Sequence, residues 1–108
     1  MCTDVFGPMY NADYIAAAVR RTQANYGGAE GYTGTNVVIP NGSIDPWHRL
    51  GKYTSNDESV VPILINGTAH CAELANPSDD DTPGLKRARE IIDENIRKWL
   101  RKPNNRKD

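Results

Sequence analysis

Asn36-Val-Val-Ile-Pro-Asn-Gly-Ser-Ile-Asp-Pro-Trp-His48 is the stretch on which the fold turns. Its apolar residues run consecutively to Pro40 instead of alternating, which suits a strand covered on both faces in a parallel sheet. The run breaks at Asn41-Gly42, a turn-forming pair, and then presents Asp45. Val60-Val-Pro-Ile-Leu-Ile-Asn-Gly-Thr-Ala-His-Cys71 repeats the layout. Its apolar run, 60–65, breaks at Asn66-Gly67 and presents His70. Pro62 falls near the start of that run, where a missing N–H does least harm. Parallel neighbours need a crossover. Residues 46–59 supply a short one, in which Trp47-His48-Arg49-Leu50 forms a helical turn.

Outward from this pair, residues 11–23 read as a helix. Asn11 or Asp13 caps it, and Ile15, Ala18, Val19 and Thr22 recur at helical spacing. Gly27-Gly28 stops it, and a Gly/Thr/Tyr loop runs to Thr35. A second helix opens at Thr82, its cap, with Pro83 at the first helical position. Asp79-Asp80-Asp81 places negative charge at its positive end and reads as a solvated helix start rather than a calcium loop. Leu85, Ala88, Ile91, Ile92, Ile96, Trp99 and Leu100 form one apolar stripe. Asp93–Arg97 and Glu94–Lys98 are expected to pair on the outer face. Pro103 ends the helix, and the tail at 103–108 is expected to be disordered.

An acid and an imidazole beyond successive strand ends, in that chain order, match two members of the Ser…Asp…His relay of an α/β-hydrolase. In such a relay the histidine takes a proton from the nucleophile and passes it to the leaving amine. A buried carboxylate fixes its tautomer and stabilises the imidazolium. Taken alone, Asp45 also reads as a turn residue, since Ser-Ile-Asp-Pro is good turn chemistry. His70 also reads as a loop histidine bonded to backbone. His48 and Trp47 are expected on the turn or in a pocket wall. The chain contains no Gly-x-Ser-x-Gly elbow, so it is expected to be the C-terminal piece of a larger enzyme. Cys2, His48, His70 and Cys71 lack zinc-site spacing, and the adjacent His70-Cys71 suits one tetrahedral ion poorly. No metal or organic cofactor is expected.

Composition narrows the classes. A net charge of −1 gives no electrostatic reason to expect nucleic acid or an anionic membrane as partner. No apolar stretch approaches the roughly 20 residues that span a bilayer, and the start lacks signal-peptide character. Apolar residues make up 38% of the 108, and the deficit sits in the loops and the tail after Leu100. Cys2 and Cys71 can pair with each other, stay reduced, or pair outside the chain. The last option is expected of Cys2, and a small buried thiol beside the His loop is expected of Cys71. Asn41-Gly-Ser and Asn66-Gly-Thr are formal glycosylation sequons. Their more natural role is to make the turns that aim the acid and base, and Asn41 at least is expected to be unmodified.

Five segments carry a further signal: Cys2-Thr-Asp-Val-Phe-Gly-Pro, Asn25-Tyr-Gly-Gly, the 36–48 string, Gly67-Thr-Ala-His-Cys-Ala, and Ala88-Arg with Ile96-x-x-Trp-Leu. They resemble the serine carboxypeptidase family that contains lysosomal Pro-Xaa carboxypeptidase, dipeptidyl peptidase II and thymus-specific serine protease, with the thymus-specific branch closest. The resemblance implies the C-terminal portion of an α/β-hydrolase fold, incomplete on its own, over residues 1–102. It also implies Asp45 as relay acid and His70 as relay base. The implied activity is serine-type exopeptidase cleavage of peptides, often with proline near a terminus. The implied parent is secreted or lysosomal and compatible with a homodimer, with its nucleophile and capping helical domain upstream. The alternative is a truncated, inactive chain acting only by binding. Arg49 and Glu73-Leu-Ala-Asn-Pro depart from the family pattern without touching the relay residues.

Overall fold

The computed structural model describes residues 1–101; the tail expected at 103–108 lies outside the described residues. The chain divides into two compact units, Met1–Thr33 and the residues from Gly34 onward.

The first unit holds α1 (Cys2–Phe6) and α2 (Ala12–Tyr26). Of the two expected caps, Asn11 is used. Its side-chain oxygen accepts from the Tyr14 N–H at 2.9 Å. Helix α2 runs past Gln23 and stops at Gly27, whose φ of 83° is left-handed and whose N–H bonds back to the Gln23 carbonyl. Neither helix contains a buried residue, and Val19 of the α2 stripe is 49% exposed. Helix α1 was not expected from the sequence. It is a short helix with no side-chain cap and no periodicity, marked in the sequence only by the Gly7-Pro8 that ends it.

The second unit carries the sheet. Strands β1 (Val37–Gly42) and β2 (Val60–Ile65) are parallel neighbours, registered from Val37 opposite Val60 to Gly42 opposite Ile65. Asn41 and Gly42, read as the break, belong to β1 because pairing continues to the end of β2. The expected turn in the crossover is present as a 3-10 turn, Pro46–Leu50. A shorter 3-10 turn, Ala72–Leu74, follows His70. Helix α3 (Pro83–Leu100) opens as expected, with the Thr82 hydroxyl accepting from the Leu85 N–H and Pro83 in the first turn.

Packing is one-sided. Ile65, Leu85 and Ala88 form the buried cluster, flanked by Ile63 and Ala72. Strand alternation puts Leu64 on the opposite face, where it is 53% exposed. Cover on both faces was expected; the described residues cover one. The α3 stripe is likewise only partly used: Ile96 is 44% and Leu100 80% exposed. Asp93 pairs with Arg97 at 2.6 Å, but Glu94 pairs with Arg87 at 3.8 Å rather than with Lys98. A parallel β pair backed by a helix is consistent with part of an α/β-hydrolase fold.

Candidate active site

The two strands end side by side, so the loops that leave them start from neighbouring points. Four bonds lash these loops together. The Ser43 N–H donates to the Ile65 carbonyl at 3.1 Å, the Ile44 N–H to the Thr68 carbonyl at 3.1 Å, and the Gly67 N–H to the Ser43 hydroxyl at 2.7 Å. The Ser43 hydroxyl in turn donates to the Asn66 side-chain oxygen at 3.2 Å. Within the second loop, the buried Thr68 donates its hydroxyl proton to the Ile65 carbonyl at 2.9 Å. The approach is so close that a Cβ on Gly42 would lie 2.5 Å from the carbonyl oxygens of both Thr68 and Ala69. Only glycine fits there.

This juxtaposition brings Asp45 to His70. The Asp45 Oδ2 lies 2.6 Å from the His70 Nδ1, while Oδ1 caps the 3-10 turn by accepting from the Trp47 N–H at 3.0 Å. The carboxylate is buried, with 9% of its side chain exposed against 58% for His70. Its pKa is lowered below the ordinary 3.8, first by the hydrogen bond from His70, with burial opposing and the Trp47 N–H and the His70 charge assisting. An ionised carboxylate only accepts. The proton between them therefore sits on Nδ1. Trp47 braces the His70 ring edge-on, with centroids 5.0 Å apart.

The second histidine is engaged elsewhere. The Tyr53 hydroxyl donates to the His48 carbonyl at 2.5 Å and accepts from the His48 Nδ1–H at 2.6 Å. His48 thus ties the two halves of the crossover together. Asn41 does similar work, its amide donating to the Ile39 and Lys52 carbonyls at 3.3 Å each. Its nitrogen is accordingly occupied by the fold.

One cysteine reading changes. Cys71 is exposed, not buried, and takes a left-handed φ of 55°, rare for a residue with a Cβ. Cys2 and Cys71 are both free thiols in this structure. In the acidic run Asp79 and Asp80 are exposed, as a solvated helix start requires, whereas Asp81 is not. Asp81 accepts from the Ser78 N–H at 2.8 Å and pairs with Arg89, and both its side chain and that of Arg89 are largely covered.

Sequence reading missed Gly42, Ser43, Tyr53 and Arg89. Arg89 carried a usable signal: it stands four residues after Leu85 and three before Ile92, so it falls on the apolar stripe. A charge there needs partners.

The sequence profile of the serine carboxypeptidase S28 family matches residues 1–92. A Caenorhabditis elegans protein described as a serine protease is 50% identical over 103 residues, 94% of this chain and 19% of that protein. The human thymus-specific serine protease is 34% identical over 102 residues, again 94% of this chain and 19% of its own length. The human lysosomal Pro-X carboxypeptidase is 29% identical over 76 residues, 70% of this chain and 15% of its length. The chain thus spans about a fifth of the curated relatives it matches. No solved structure matches it significantly, and no described helix is long and apolar enough to cross a membrane. A profile match over residues 1–92 and half-identity along nearly the whole chain lead to one assignment: the chain belongs to the serine carboxypeptidase S28 family.

Proposed function

We propose that Asp45 and His70 are the acid and base of a Ser-Asp-His relay in a serine-type exopeptidase. The nucleophilic serine comes from a part of the protein outside these 108 residues. The observation that carries this reading is the 2.6 Å contact between a buried, ionised Asp45 and the His70 Nδ1. Such a carboxylate fixes the tautomer in which Nε2 is free. As the serine oxygen attacks the scissile carbonyl carbon, Nε2 takes its proton and Asp45 stabilises the resulting imidazolium. Nε2 then protonates the leaving amine. A water molecule, activated by the same nitrogen, cleaves the acyl-enzyme.

Ser43 is not that nucleophile. It sits on the acid loop, its oxygen accepts the Gly67 N–H, and its proton goes to Asn66. Residues 1–102 then form the C-terminal part of a hydrolase domain whose other strands cover Leu64 and the open side of the sheet. An open apolar hollow of about 400 Å³, lined by Val38, Pro40, Leu74, Ile92, Ile96 and Trp99, supports that larger fold. The name of the lysosomal Pro-X carboxypeptidase favours peptides with proline near a terminus as substrates and a lysosomal setting, beside which we propose a secreted one. Neither nucleic acid nor a membrane is a proposed partner, no cofactor enters the relay, and a homodimer of the full-length protein is compatible with it.

The test is hydrolysis of proline-containing peptides by the full-length protein and by its Asp45→Asn and His70→Ala variants. Loss of turnover in both is expected; retention in either sinks the assignment. The competing reading is a chain that only binds, favoured by its lack of a Gly-x-Ser-x-Gly elbow. It wins if no longer product carrying a nucleophile exists.

A further inference from the structure

We infer that Arg89 of α3 is a positioning residue, clamping the backbone just after His70 and so holding the imidazole on Asp45. The inference rests on the relay reading above. Upstream, the His loop is fixed by Gly67, Thr68 and their bonds to Ser43, Ile44 and Ile65. Downstream, the chain passes through the left-handed Cys71 into the 3-10 turn Ala72–Leu74. A residue with a Cβ keeps that conformation only when its surroundings over-determine it.

Arg89 supplies that constraint. Its Nε donates to the Glu73 carbonyl at 3.2 Å, and its Nη2 to the carbonyls of Ala72 at 3.2 Å and Ala75 at 3.0 Å. Its Nη1 donates to the Asp81 carboxylate. One guanidinium thus takes up three carbonyls at the exit of the turn while Asp81 fixes the plane of the fork. Asp81 is itself held by the Ser78 N–H, which together with Arg89 lowers its pKa below the ordinary carboxylate value. With 16% of its side chain exposed, Arg89 is shielded from water that would compete for these bonds. A lysine has the charge but not the fork, and cannot reach all three carbonyls at once.

The experiment compares Arg89→Gln and Arg89→Lys in the full-length protein, each alone and combined with His70→Ala, at temperatures well below unfolding. Displacement of a relay group by about 1 Å costs up to about 10²-fold. The expected result is a kcat about 10- to 100-fold lower for Arg89→Gln with KM nearly unchanged. Arg89→Lys should lie between it and wild type. On the His70→Ala background, Arg89→Gln should add nothing, because it acts through the missing imidazole. Unchanged kcat in folded Arg89→Gln, or an equal further loss on the His70→Ala background, overturns the inference and leaves the relay standing. If Arg89→Gln does not fold, Arg89→Lys carries the test: wild-type kcat overturns the inference, and a loss confined to the His70 background supports it. Full turnover in His70→Ala alone instead rejects the relay, and the inference falls with it.

Discussion

The loops at the strand ends and the helices of the first unit use the same chain in opposite ways. Between Asn41 and Ala75, nearly every polar group near the candidate relay has a partner close in space: Ser43 with Gly67, Asp45 with His70, Asn41 with Lys52, and Ala72 with Arg89. Helix α2 has a good cap and a good stop but buries no residue. The first region is held by specific hydrogen bonds that fix atoms to fractions of an ångström. The second is held by helix propensity and capping, which fix a conformation but not a neighbour. A preorganised site therefore lies within a segment of about thirty residues, while α2 contributes surface.

The largest effects should fall on the relay. In the full-length protein Asp45→Asn should lower kcat by about 10⁴, because an amide stabilises the wrong tautomer of His70. His70→Ala should cost at least as much, and the double variant little more, since relay members act as a unit. Single-turnover kinetics on a proline-containing peptide, with circular dichroism to confirm folding, measures both. Substantially additive losses would show that the two residues serve separate steps.

Burial sets the next scale. Leu85 packs against Ile65 and Ala88 in the core, whereas Val19 is half-exposed on α2. Leu85→Ala should destabilise by about 2–5 kcal/mol, and Val19→Ala by no more than about 0.5 kcal/mol. Denaturant titration of the full-length protein separates the two. A large loss at Val19 would mean that the α2 stripe is covered by residues beyond the described chain.

A third substitution strikes the point where the loops cross. Gly42→Ala places a methyl 2.5 Å from two carbonyl oxygens of the His loop, and backbone is on both sides of the clash. The loops must part. We expect a loss of up to about 10²-fold in kcat with Asp45 and His70 both present. Wild-type activity would show that the His loop yields without moving its imidazole.

Much of this was legible in the sequence. The second strand lies at 60–65 as read, because two β-branched valines open it and Asn-Gly closes it. Thr82-Pro83 marked the start of α3, since cap chemistry is local. The pairing of Asp45 with His70 was legible because each follows a strand end, and parallel pairing then brings the ends together. The unreadable features were non-local. The exposure of Cys71, the pairing of Glu94 with Arg87 and the close pass at Gly42 depend on backbone paths or rotamers that no short window encodes. Arg89 lies between the two classes: its place on the stripe was readable, its three carbonyl partners were not.

The pH dependence sharpens the electrostatic side. Asp45 has a folded-state pKa below its ordinary 3.8, so its pairing stabilises the fold above the unfolded value and is lost as pH falls through the folded one. Carbon-13 NMR of the Asp45 carboxyl should give a midpoint below 3.8 in the wild-type protein. In His70→Ala the midpoint should move up, since the largest cause of the shift is gone. An unmoved midpoint would assign the effect to the Trp47 N–H instead.

The smallest effect should be that of His48→Ala, and its smallness is informative. His48 is three residues from Asp45, and its positive form would help lower the carboxylate's pKa. Yet its Nδ1 and carbonyl are both spent on Tyr53, which is itself 43% exposed. Removing the imidazole breaks one hydrogen bond at the surface, worth about 1 kcal/mol, and leaves the Tyr53 bond to the backbone carbonyl in place. The 3-10 turn keeps its Asp45 cap and its Pro46, so Trp47 should stay against His70. Turnover should then fall by no more than a few-fold, with the slight loss of stability visible in thermal unfolding. If His48→Ala abolishes turnover while His70→Ala retains most of it, the base has been assigned to the wrong imidazole. Tyr53→Phe, which leaves both imidazoles in place, then separates the two roles. It should reproduce a His48 effect that runs through the crossover, and leave untouched one that runs through the ring itself.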